Sequence, residues 1–598
     1  YAPDPNSSPE RQYREVYAIK LADDKVVDLG HGDVPAVSAD GDRVAFVHPA
    51  DGSVWWAPID GSAKPKRLFF DKGNAGDLQW SPDGKTLAYV SDRGDHSFVA
   101  LYRGKDKPIR YLAPSTHRDF YPRWSPDGSH IVFVRMDGRG GAPHPLLKPR
   151  PQPWAIWVAD VATGKAHAAW TSPKTLKGSY PDTAGGANLY WGKGRRIVFL
   201  ADLDGWPHLY SVPAAGGGKS LLLTPGDFMV EDVSTSPNHA WVVYNANAGK
   251  TPGDYDRRHL YRVPVNRAAP QTLTSGTHIG WSPVLPDNTT VAFIRAGAKT
   301  PPLVAVEPLA GGNPRLLDGD QIPSDFPAKL FVVPKSVHFE SADGWTIYGQ
   351  LFEPRGGAPV HPAVVFVHGG PPRQMLLGWH YMAYYSNSYA VNQYLANHGF
   401  IVLSVNYRLG IGHGYKFHHP KHWGPTGAFE YQDVLAGARY LQQMPDVNPK
   451  EIGIWGGSYG GYLTALALAR NSDVFKAGVD MHGVHDWSAL LLHSGWLSTK
   501  RVRYEQQDWD AVLKTAWESS PDASIDTWKS PVLLIQGDDD RNVPFHQMVD
   551  LVQRLKKAGV PYGEIVFPNE IHGFLRYHDW LRADRATAAF LTQHLMLH

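Results

Sequence analysis

A short pattern recurs along the first half of the 598-residue chain. Its clearest copies are VSADGDRVAFV, WSPDGKTLAYV and WSPDGSHIVFV, which start at Val37, Trp80 and Trp124. Each copy has an apolar or aromatic residue, then a tight turn of the Ser-Pro-Asp-Gly type, and then an alternating β-branched run. The spacing of the copies lies in the range of about 40–50 residues that is typical of one β-propeller blade. The pattern therefore predicts an N-terminal β-propeller.

Further copies of the pattern indicate how many blades to expect. Weaker copies start at Tyr190, Thr235 and Trp281, which brings the visible copies to six. The segment Arg14–Leu29 looks like the outer strands of one more blade. We therefore favour seven blades over six or eight.

The pattern of apolar residues changes in the second half of the chain. The blade pattern stops at residues 326–354, and apolar strand-like runs then alternate with helical patterns. Such alternation predicts a doubly wound, mostly parallel sheet with helices on both faces. Because a single core rarely grows beyond ~250–300 residues, we predict a propeller domain at 1–330 and a second domain at 331–598. The predicted strands of the second domain lie within 363–367, 399–408, 451–458, 530–540 and 562–568.

Composition excludes several classes of protein. The formal net charge is +1, so no global field attracts nucleic acid or an anionic membrane. No apolar run of about 18 residues occurs, so we predict no membrane span. The absence of cysteine excludes disulfides, thiol catalysis and cysteine metal sites. Since the chain also begins at Tyr1 rather than Met, we expect a trimmed protein that is periplasmic or secreted, with a cytoplasmic location as the alternative. Whether it forms a homo-oligomer stays open.

One serine stands among glycines in the segment GGSYGGY, directly after an apolar strand. Ser458 fits the G-x-S-x-G pattern, in which a strained turn between a strand and a helix exposes a nucleophilic hydroxyl. A helix-forming run follows at 459–470, so the local context agrees with the motif. We predict that Ser458 is a nucleophile; the alternative is a tight turn without chemistry.

A serine hydroxyl needs a base, and in sheets of this kind an acid and then a histidine follow the serine along the chain. Three aspartates, at positions 538, 539 and 540, follow one predicted strand, and His572 follows the next. His572 would take the Ser458 proton, while an aspartate would orient the imidazole. The residue order leaves the choice among the three aspartates open.

Backbone N–H groups near the serine would stabilise the negative oxygen of a tetrahedral intermediate. One is expected from Tyr459, the residue after the nucleophile, and the other from the HGGP segment at 368–371. We favour the N–H of Gly370. The alternative is that these glycines only turn the chain.

Together these motifs resemble those of the prolyl oligopeptidase family of serine peptidases (family S9). HGGP, GGSYGGY, GDDDRNVPF and HGF match in type and order the acylaminoacyl-peptidase and dipeptidyl-aminopeptidase-like branch, and the resemblance covers nearly the whole chain. It implies that the propeller is joined to an α/β-hydrolase domain. The family's G-x-x-D-x-x-V-P pattern fits residues 537–544 and implies that Asp540 is the acid.

The resemblance also implies where a substrate would bind. Asn542, two residues after Asp540, is expected to contact a substrate carbonyl. The apolar wall of the S1 pocket, which holds the side chain before the scissile bond, is expected from Tyr459, Val484, Trp487 and Val543.

Several features depart from the family pattern. Members that remove dipeptides anchor a free amine with adjacent glutamates in the propeller, and no Glu-Glu pair occurs in this chain. This argues against a strict dipeptidyl aminopeptidase, although a single Glu or Asp could serve. Gln536 stands where many relatives have histidine, which we expect to be harmless. The aromatic segment 373–399 is expected to be mostly core, with a role in lining the substrate cavity as the alternative.

We therefore expect a serine peptidase that acts on short peptides, with the propeller limiting substrate size. One alternative is an esterase or isopeptidase that acts on modified or cyclic peptides with the same triad. The other is a propeller binding module fused to an inactive hydrolase. No metal or organic cofactor is expected, because triad hydrolysis needs none and no H-E-x-x-H pattern occurs.

Overall fold

Small antiparallel sheets make up the first region of the chain. The computed structural model describes residues 14–141, 144–145, 148–493 and 506–596. In this described part, the first region has four separate four-stranded sheets, one two-stranded sheet and one eight-stranded sheet. The eight-stranded sheet consists of two four-stranded units that a parallel bridge between Ser97 and Arg118 joins.

The strands of this region follow the chain in order, so that neighbouring strands in sequence pair with each other. The two-stranded sheet is Glu15–Lys20 and Lys25–His31. The four-stranded units are Asp33–Val37, Arg43–Val47, Val54–Pro58 and Lys66–Phe69; Asn74–Trp80, Leu87–Asp92, Ser97–Tyr102 and Arg110–Tyr111; Arg118–Trp124, His130–Met136, Trp154–Asp160 and Ala166–Thr171; Tyr190–Gly192, Arg196–Ala201, His208–Pro213 and Leu221–Leu222; Val230–Thr235, Trp241–Ala246, His259–Pro264 and Gln271–Thr272; and Ile279–Val284, Thr290–Ala296, Leu303–Pro308 and Arg315–Leu316.

The repeated residues have repeated structural roles. In the turn that follows Trp80, the hydroxyl of Ser81 donates to Asp83 Oδ1 at 2.6 Å. The indole N–H of Trp80 donates to the backbone oxygen of Ala36, one unit earlier, and that of Trp124 donates to Gln79 in the same way. Each tryptophan therefore links its unit to the preceding one, which explains why the pattern recurs at blade spacing. The structure supports a propeller-like region, and the count of seven blades stays a prediction.

One eight-stranded sheet organises the second region. Its strands, in chain order, are β1 (Lys335–Glu340), β2 (Thr346–Phe352), β3 (His361–Val367), β4 (Ile401–Asn406), β5 (Val447–Gly457), β6 (Ala477–Met481), β7 (Val532–Gly537) and β8 (Tyr562–Phe567). The spatial order is β1-β2-β4-β3-β5-β6-β7-β8. The pairs β1–β2 and β2–β4 are antiparallel and the remaining pairs are parallel, which confirms a mostly parallel sheet.

Helices cover both faces of this sheet. They are α1 (Ala383–Asn397), α2 (Tyr415–His418), α3 (Tyr431–Gln442), α4 (Tyr459–Arg470), α5 (Trp487–His493), α6 (Gln506–Glu518), α7 (His546–Ala558) and α8 (Tyr577–Leu595). Along β3, Val365 lies in the core on one face, whereas Val364 and Phe366 lie in the core on the other. Both faces are therefore buried, which is why the strands read as continuous apolar runs. In the described part, no helix has the length and apolar character that a membrane crossing requires.

The two regions meet at a buried polar cluster, which we call the interdomain cluster: Glu231, Asp256 and Arg258 from the first region, and Gln374 and Tyr381 from the second. Arg258 forms an ion pair with Glu231 and donates to Gln374 Oε1 at 2.9 Å. Tyr381 donates its hydroxyl to Glu231 Oε1 at 3.1 Å, and Gln374 Nε2 donates to Asp256 Oδ1 at 3.2 Å. The last strand of the first region ends before β1 begins, and the predicted boundary at 330 falls between them.

Candidate active site

Ser458 stands on a sharp turn between β5 and α4. Its backbone has φ 59° and ψ −120°, a conformation that non-glycine residues rarely adopt and that stores strain. A Cβ atom at Gly456 would lie 2.4 Å from the backbone oxygen of Val367, and one at Gly460 would lie 2.0 Å from it. The glycines of the motif are therefore required because the turn presses against the end of β3. Ser458 itself is partly exposed.

Asp540 and His572 come together at the same edge of the sheet, after β7 and β8. His572 Nδ1 lies 2.8 Å from Asp540 Oδ2, and the Asp540 side chain is fully buried. The other carboxylate oxygen, Oδ1, accepts the backbone N–H groups of Asn542 and Val543 at 2.9 and 3.0 Å. Gln536 Nε2 donates to Asp540 Oδ2 at 3.2 Å, so the residue that departs from the family pattern supports this carboxylate.

The neighbouring aspartates have other partners. Asp538 accepts the backbone N–H of Asn569 at 2.6 Å, and Asp539 forms an exposed ion pair with Arg541. Of the three aspartates in this run, the structure therefore places Asp540 against His572.

His482, which follows β6, lies between Ser458 and His572. The backbone N–H of Ser458 donates to His482 Nδ1 at 3.0 Å, and the rings of His482 and His572 lie 4.2 Å apart. Sequence reasoning missed this residue; its position after a parallel strand, at the edge that carries Ser458, is the signal that could have found it. Within the described part of the chain, the Ser458 hydroxyl makes no hydrogen bond to another protein group.

The loop after β3 passes directly beside the serine. A Cβ atom at Gly369 would lie 3.0 Å from the Cβ atom of Ser458, so only glycine permits this approach. Gly370 follows and is exposed. Tyr459 is the first residue of α4, where N–H groups have no acceptor within the helix. Both residues predicted to bind the oxyanion thus lie next to Ser458 or to its immediate neighbour.

The predicted substrate residues fall into two groups. Tyr459, Val484 and Val543 are buried in one apolar cluster, and Trp487 packs against it with its ring 6.0 Å from that of Tyr459. Asn542 is exposed, so its side chain is accessible from the solvent.

The buried carboxyl of Glu430 holds the side chain of Tyr459. Glu430 accepts the Tyr459 hydroxyl at 2.5 Å and the backbone N–H of Gly424 at 3.0 Å. Burial raises the pKa of Glu430 to about 7. Nothing in the sequence around Glu430 pointed to this contact, because it joins segments far apart in the chain.

The aromatic segment 373–399 contributes to the core and also contacts the candidate site, while a role in lining the substrate cavity stays a prediction. Tyr385 and Tyr389 of α1 belong to the apolar core. Tyr384 instead reaches the candidate site, where its hydroxyl lies 3.2 Å from His482 Nε2. Tyr394, further along the same helix, is half exposed.

Comparisons with known proteins find similar sequences over both regions of the chain. The model of the prolyl oligopeptidase family matches residues 385–598, and that of the dipeptidyl peptidase IV N-terminal region matches residues 155–300. Dipeptidyl aminopeptidase BIII of Pseudoxanthomonas mexicana is 25% identical, over 93% of this chain and 86% of that protein. Dipeptidyl-peptidase 5 of Porphyromonas gingivalis is 24% identical, over 87% of this chain and 67% of that protein.

Solved structures share the fold over nearly the full length. A puromycin-hydrolysing peptidase of Mycobacterium tuberculosis superposes with a TM-score of 0.74 at 21% identity, over 96% of this chain and 90% of that chain. The dipeptidyl peptidase 4 of Porphyromonas gingivalis also has a TM-score of 0.74, over 98% and 87% of the two chains. The region 385–598 therefore belongs to the prolyl oligopeptidase family, and the chain is a serine-type peptidase.

Proposed function

We propose that Ser458, His572 and Asp540 form a catalytic triad and that the enzyme cleaves short peptides through an acyl-enzyme intermediate. The observation that carries this proposal is the 2.8 Å contact between His572 and Asp540, at the sheet edge where Ser458 occupies its strained turn. Membership of a serine peptidase family supports it, because such a peptidase needs a base and an orienting acid beside its nucleophile.

The reaction proceeds in two halves. In the first, His572 Nε2 takes the hydroxyl proton while Ser458 Oγ attacks the scissile carbonyl carbon; the bond from carbon to nitrogen then breaks and His572 protonates the leaving amine. In the second, water attacks the resulting ester, His572 accepts a water proton, and that proton returns to Ser458 as the acid is released. Asp540 holds His572 through Nδ1, which leaves Nε2 free to accept the proton.

Backbone N–H groups of Tyr459 and Gly370 donate to the carbonyl oxygen as it becomes negative. Their support is geometric, since Tyr459 follows the nucleophile and Gly370 follows the glycine that contacts it. A backbone donor held by a helix start or by a packed loop needs no rearrangement during the reaction, which makes such a donor effective.

The specificity expected from the site is for an apolar residue before the scissile bond. Tyr459, Val484, Val543 and Trp487 supply an apolar wall, and the exposed amide of Asn542 is placed to contact a substrate carbonyl. The propeller-like region limits substrate size in this proposal. This part of the proposal is supported by Gln374, which lies four residues after Gly370 and contacts Arg258 and Asp256 of the first region. The loop beside Ser458 therefore lies at the junction of the two regions.

The names of the relatives raise the question of whether a free amino terminus is required. Two of them are a dipeptidyl aminopeptidase and a dipeptidyl peptidase, enzymes that release dipeptides. In this chain the acidic neighbours Glu231 and Asp232 of the first region already have partners. Glu231 is buried and paired with Arg258, and the partly buried Asp232 accepts the backbone N–H of Ser282 at 3.2 Å. We therefore propose that a free substrate amine is not obligatory.

A matched pair of chromogenic peptides tests this proposal. The same short peptide with an apolar residue before the cleaved bond is offered with a free and with an acetylated amino terminus. We expect both to be cleaved by the wild type and neither by Ser458→Ala. Cleavage of the free form alone would show that a carboxylate in this protein anchors the amine, and cleavage of both by Ser458→Ala would refute the triad.

A further inference from the structure

His482 is a buried histidine that the proposed reaction does not use, although it contacts two of the groups that the reaction needs. It is the first residue after β6 and is 2% exposed. One ring nitrogen accepts the backbone N–H of Ser458, and one face of the ring packs against His572. No other described side chain connects the nucleophile and the base in this way.

The hydrogen bonds of His482 determine which nitrogen carries its proton. Because Nδ1 accepts the Ser458 N–H at 3.0 Å, the neutral ring carries its proton on Nε2. That nitrogen lies 3.2 Å from the Tyr384 hydroxyl oxygen, which can accept a hydrogen bond from it. Both ring nitrogens are therefore engaged, and the ring cannot rotate without losing both contacts.

The surroundings of His482 favour its neutral form. Burial, and after it the neighbouring His572, keep the pKa of His482 well below its usual range. The titratable groups around this pair are Asp540 against His572, Tyr384 from α1, Asp480 at the end of β6 and, beyond Tyr384, Asp584 of α8. A neutral His482 remains a hydrogen-bond acceptor for Ser458 throughout a cycle in which His572 gains and loses a proton.

The backbone of His482 is strained. Its φ is +43°, in the left-handed region that non-glycine residues rarely occupy, and its N–H is held by the backbone oxygen of Ile535 at 2.8 Å. Strain of this kind persists only where surrounding contacts impose it, and it gathers at functional sites. Here the conformation directs the imidazole back towards the strained turn of Ser458.

The second glycine of the GGS segment makes room for this arrangement. A Cβ atom at Gly457 would lie 1.9 Å from the Tyr384 hydroxyl and 3.2 Å from Cε1 of His482. The glycine before the nucleophile therefore allows Tyr384 and His482 to come close behind Ser458. The Ser458 N–H also donates to the backbone oxygen of Met481 at 2.9 Å, so it is shared between two acceptors from consecutive residues.

We propose that His482 is a positioning residue, a role that rests on the triad proposed above. It holds the backbone of Ser458 by a hydrogen bond and the ring of His572 by packing, and Tyr384 fixes the orientation of the His482 ring. It does not touch the substrate in this proposal. Its loss displaces the hydroxyl relative to the base, and a displacement of about 1 Å is enough to cost about 10²-fold in rate.

Two isosteric substitutions test the proposal. Asparagine carries a hydrogen-bonding oxygen at the place of Nδ1, whereas leucine has the same branched shape without an acceptor. We expect His482→Leu to lower kcat about 10²-fold with KM within about twofold of the wild type, because the lost contact acts on the reacting groups alone. We expect His482→Asn to recover most of kcat.

The pattern across variants decides between positioning and a general packing role. Equal kcat in the two variants, or a KM that rises as kcat falls, would contradict the proposal. Tyr384→Phe leaves the Ser458 acceptor in place but removes the partner of Nε2, so its kcat should fall between those of the wild type and His482→Leu. Should His482→Leu fail to fold, a wild-type kcat in Tyr384→Phe would by itself overturn the inference.

Failure of this inference and failure of the triad are distinguishable. If Ser458→Ala is inactive and His482→Leu is as active as the wild type, the positioning role is wrong and the triad stands. If Ser458→Ala keeps wild-type turnover, the triad itself is wrong. A fluorophosphonate probe provides a second readout, since it should label wild-type Ser458 faster than Ser458 in the His482→Leu variant.

Discussion

The candidate active site and the interdomain cluster both contain buried charged groups, yet they differ in how completely those groups are paired. Arg258 of the interdomain cluster is fully buried and donates to Glu231, Gln374 and the backbone of Arg257. In the candidate site Asp540 contacts His572, whereas the Ser458 hydroxyl has no hydrogen-bond partner among the described residues.

This difference separates a structural from a reactive arrangement. A buried charge costs free energy unless it is paired. In the interdomain cluster Arg258 and Glu231 pair with each other, and Asp256 accepts hydrogen bonds from Ser336 and Gln374. The candidate site likewise supplies hydrogen-bond donors for the buried carboxylate of Asp540. Ser458 and Nε2 of His572 lie at its solvent-facing end, where a substrate would bind. Substitutions in the candidate site should therefore affect mainly turnover, whereas substitutions in the interdomain cluster should affect mainly stability.

The largest effect is expected at the nucleophile. Ser458→Ala should lower kcat by about 10⁴-fold or more with little change in unfolding temperature, because the hydroxyl makes no hydrogen bond within the part of the chain that the structure describes. Steady-state turnover and thermal unfolding measure the two quantities. Ser129→Ala, in a partly exposed turn of the first region, is the control and should leave kcat unchanged. A Ser458→Ala variant within tenfold of the wild type would remove the basis of the comparison.

A similarly large loss of rate is expected at the acid, Asp540. The neighbouring Asp538, in the same run of three aspartates, provides the control. Asp540→Asn should lower kcat by about 10³–10⁴-fold, because the amide cannot hold the tautomer and charge of His572 as the carboxylate does. Asp538→Asn should stay within a few-fold of the wild type, since Asp538 is exposed and accepts the N–H of Asn569 instead of holding His572. The reverse ranking in kcat would show that the wrong aspartate had been assigned.

At the interdomain cluster the main effect should be on stability. Arg258→Met leaves the Glu231 carboxylate buried without its cation, which typically costs about 3–5 kcal/mol. We expect a lower midpoint of urea unfolding and a kcat that falls far less than in the two variants above. Arg267→Met, at an exposed position, is the control.

A second substitution sharpens this expectation. Adding Glu231→Gln to Arg258→Met removes the unpaired charge and should restore part of the lost midpoint. A double variant as unstable as the single one would show that shape, and not charge pairing, holds the two regions together.

The smallest effect is a pH dependence at Glu430, the buried carboxyl below Tyr459. Burial raises its pKa to about 7 in the folded protein, against 4.5 for an ordinary glutamate. Between these values the unfolded chain loses a proton that the folded protein keeps, so the stability contributed by this group falls as pH rises through that window. The penalty is about 3 kcal/mol once the window is passed, because one pKa unit corresponds to about 1.4 kcal/mol.

Glu430→Gln removes this dependence. We expect the unfolding temperature of the wild type to fall more between pH 5 and pH 8 than that of Glu430→Gln, measured by thermal unfolding in matched buffers. Glu340→Gln, at an exposed position, should behave as the wild type does. Parallel curves for the wild type and Glu430→Gln would mean that Glu430 ionises normally despite its burial.

Much of the fold could be predicted from local patterns. The blade repeat predicted the turns after Trp80 and Trp124, because a Ser-Pro-Asp-Gly turn is specified by neighbouring residues. The apolar runs predicted β3, β4, β5, β7 and β8, since burial on both faces leaves a continuous signal in sequence. The number of blades, the boundary at 330 and the cellular location stay predictions.

The site could be predicted in part for a related reason. Parallel strands end at one edge of the sheet, so Ser458, Asp540 and His572 could be placed together from strand order and the family's motifs. His482 was missed, although its position after β6 is a signal of the same kind. Tyr384 and Glu430 could not be predicted, because each acquires its role through a contact between segments that are distant in sequence and carry no motif.

By itself, the sequence determined the architecture, the class of chemistry and the order of the three residues proposed to carry it out. The tertiary structure decided how Asp540 is held, what lies behind Ser458 and which charged groups are satisfied. The physical reason is that strands, turns and glycine requirements follow from short-range sterics, whereas hydrogen-bond pairing and burial depend on which distant segments the fold brings within about 3 Å of each other.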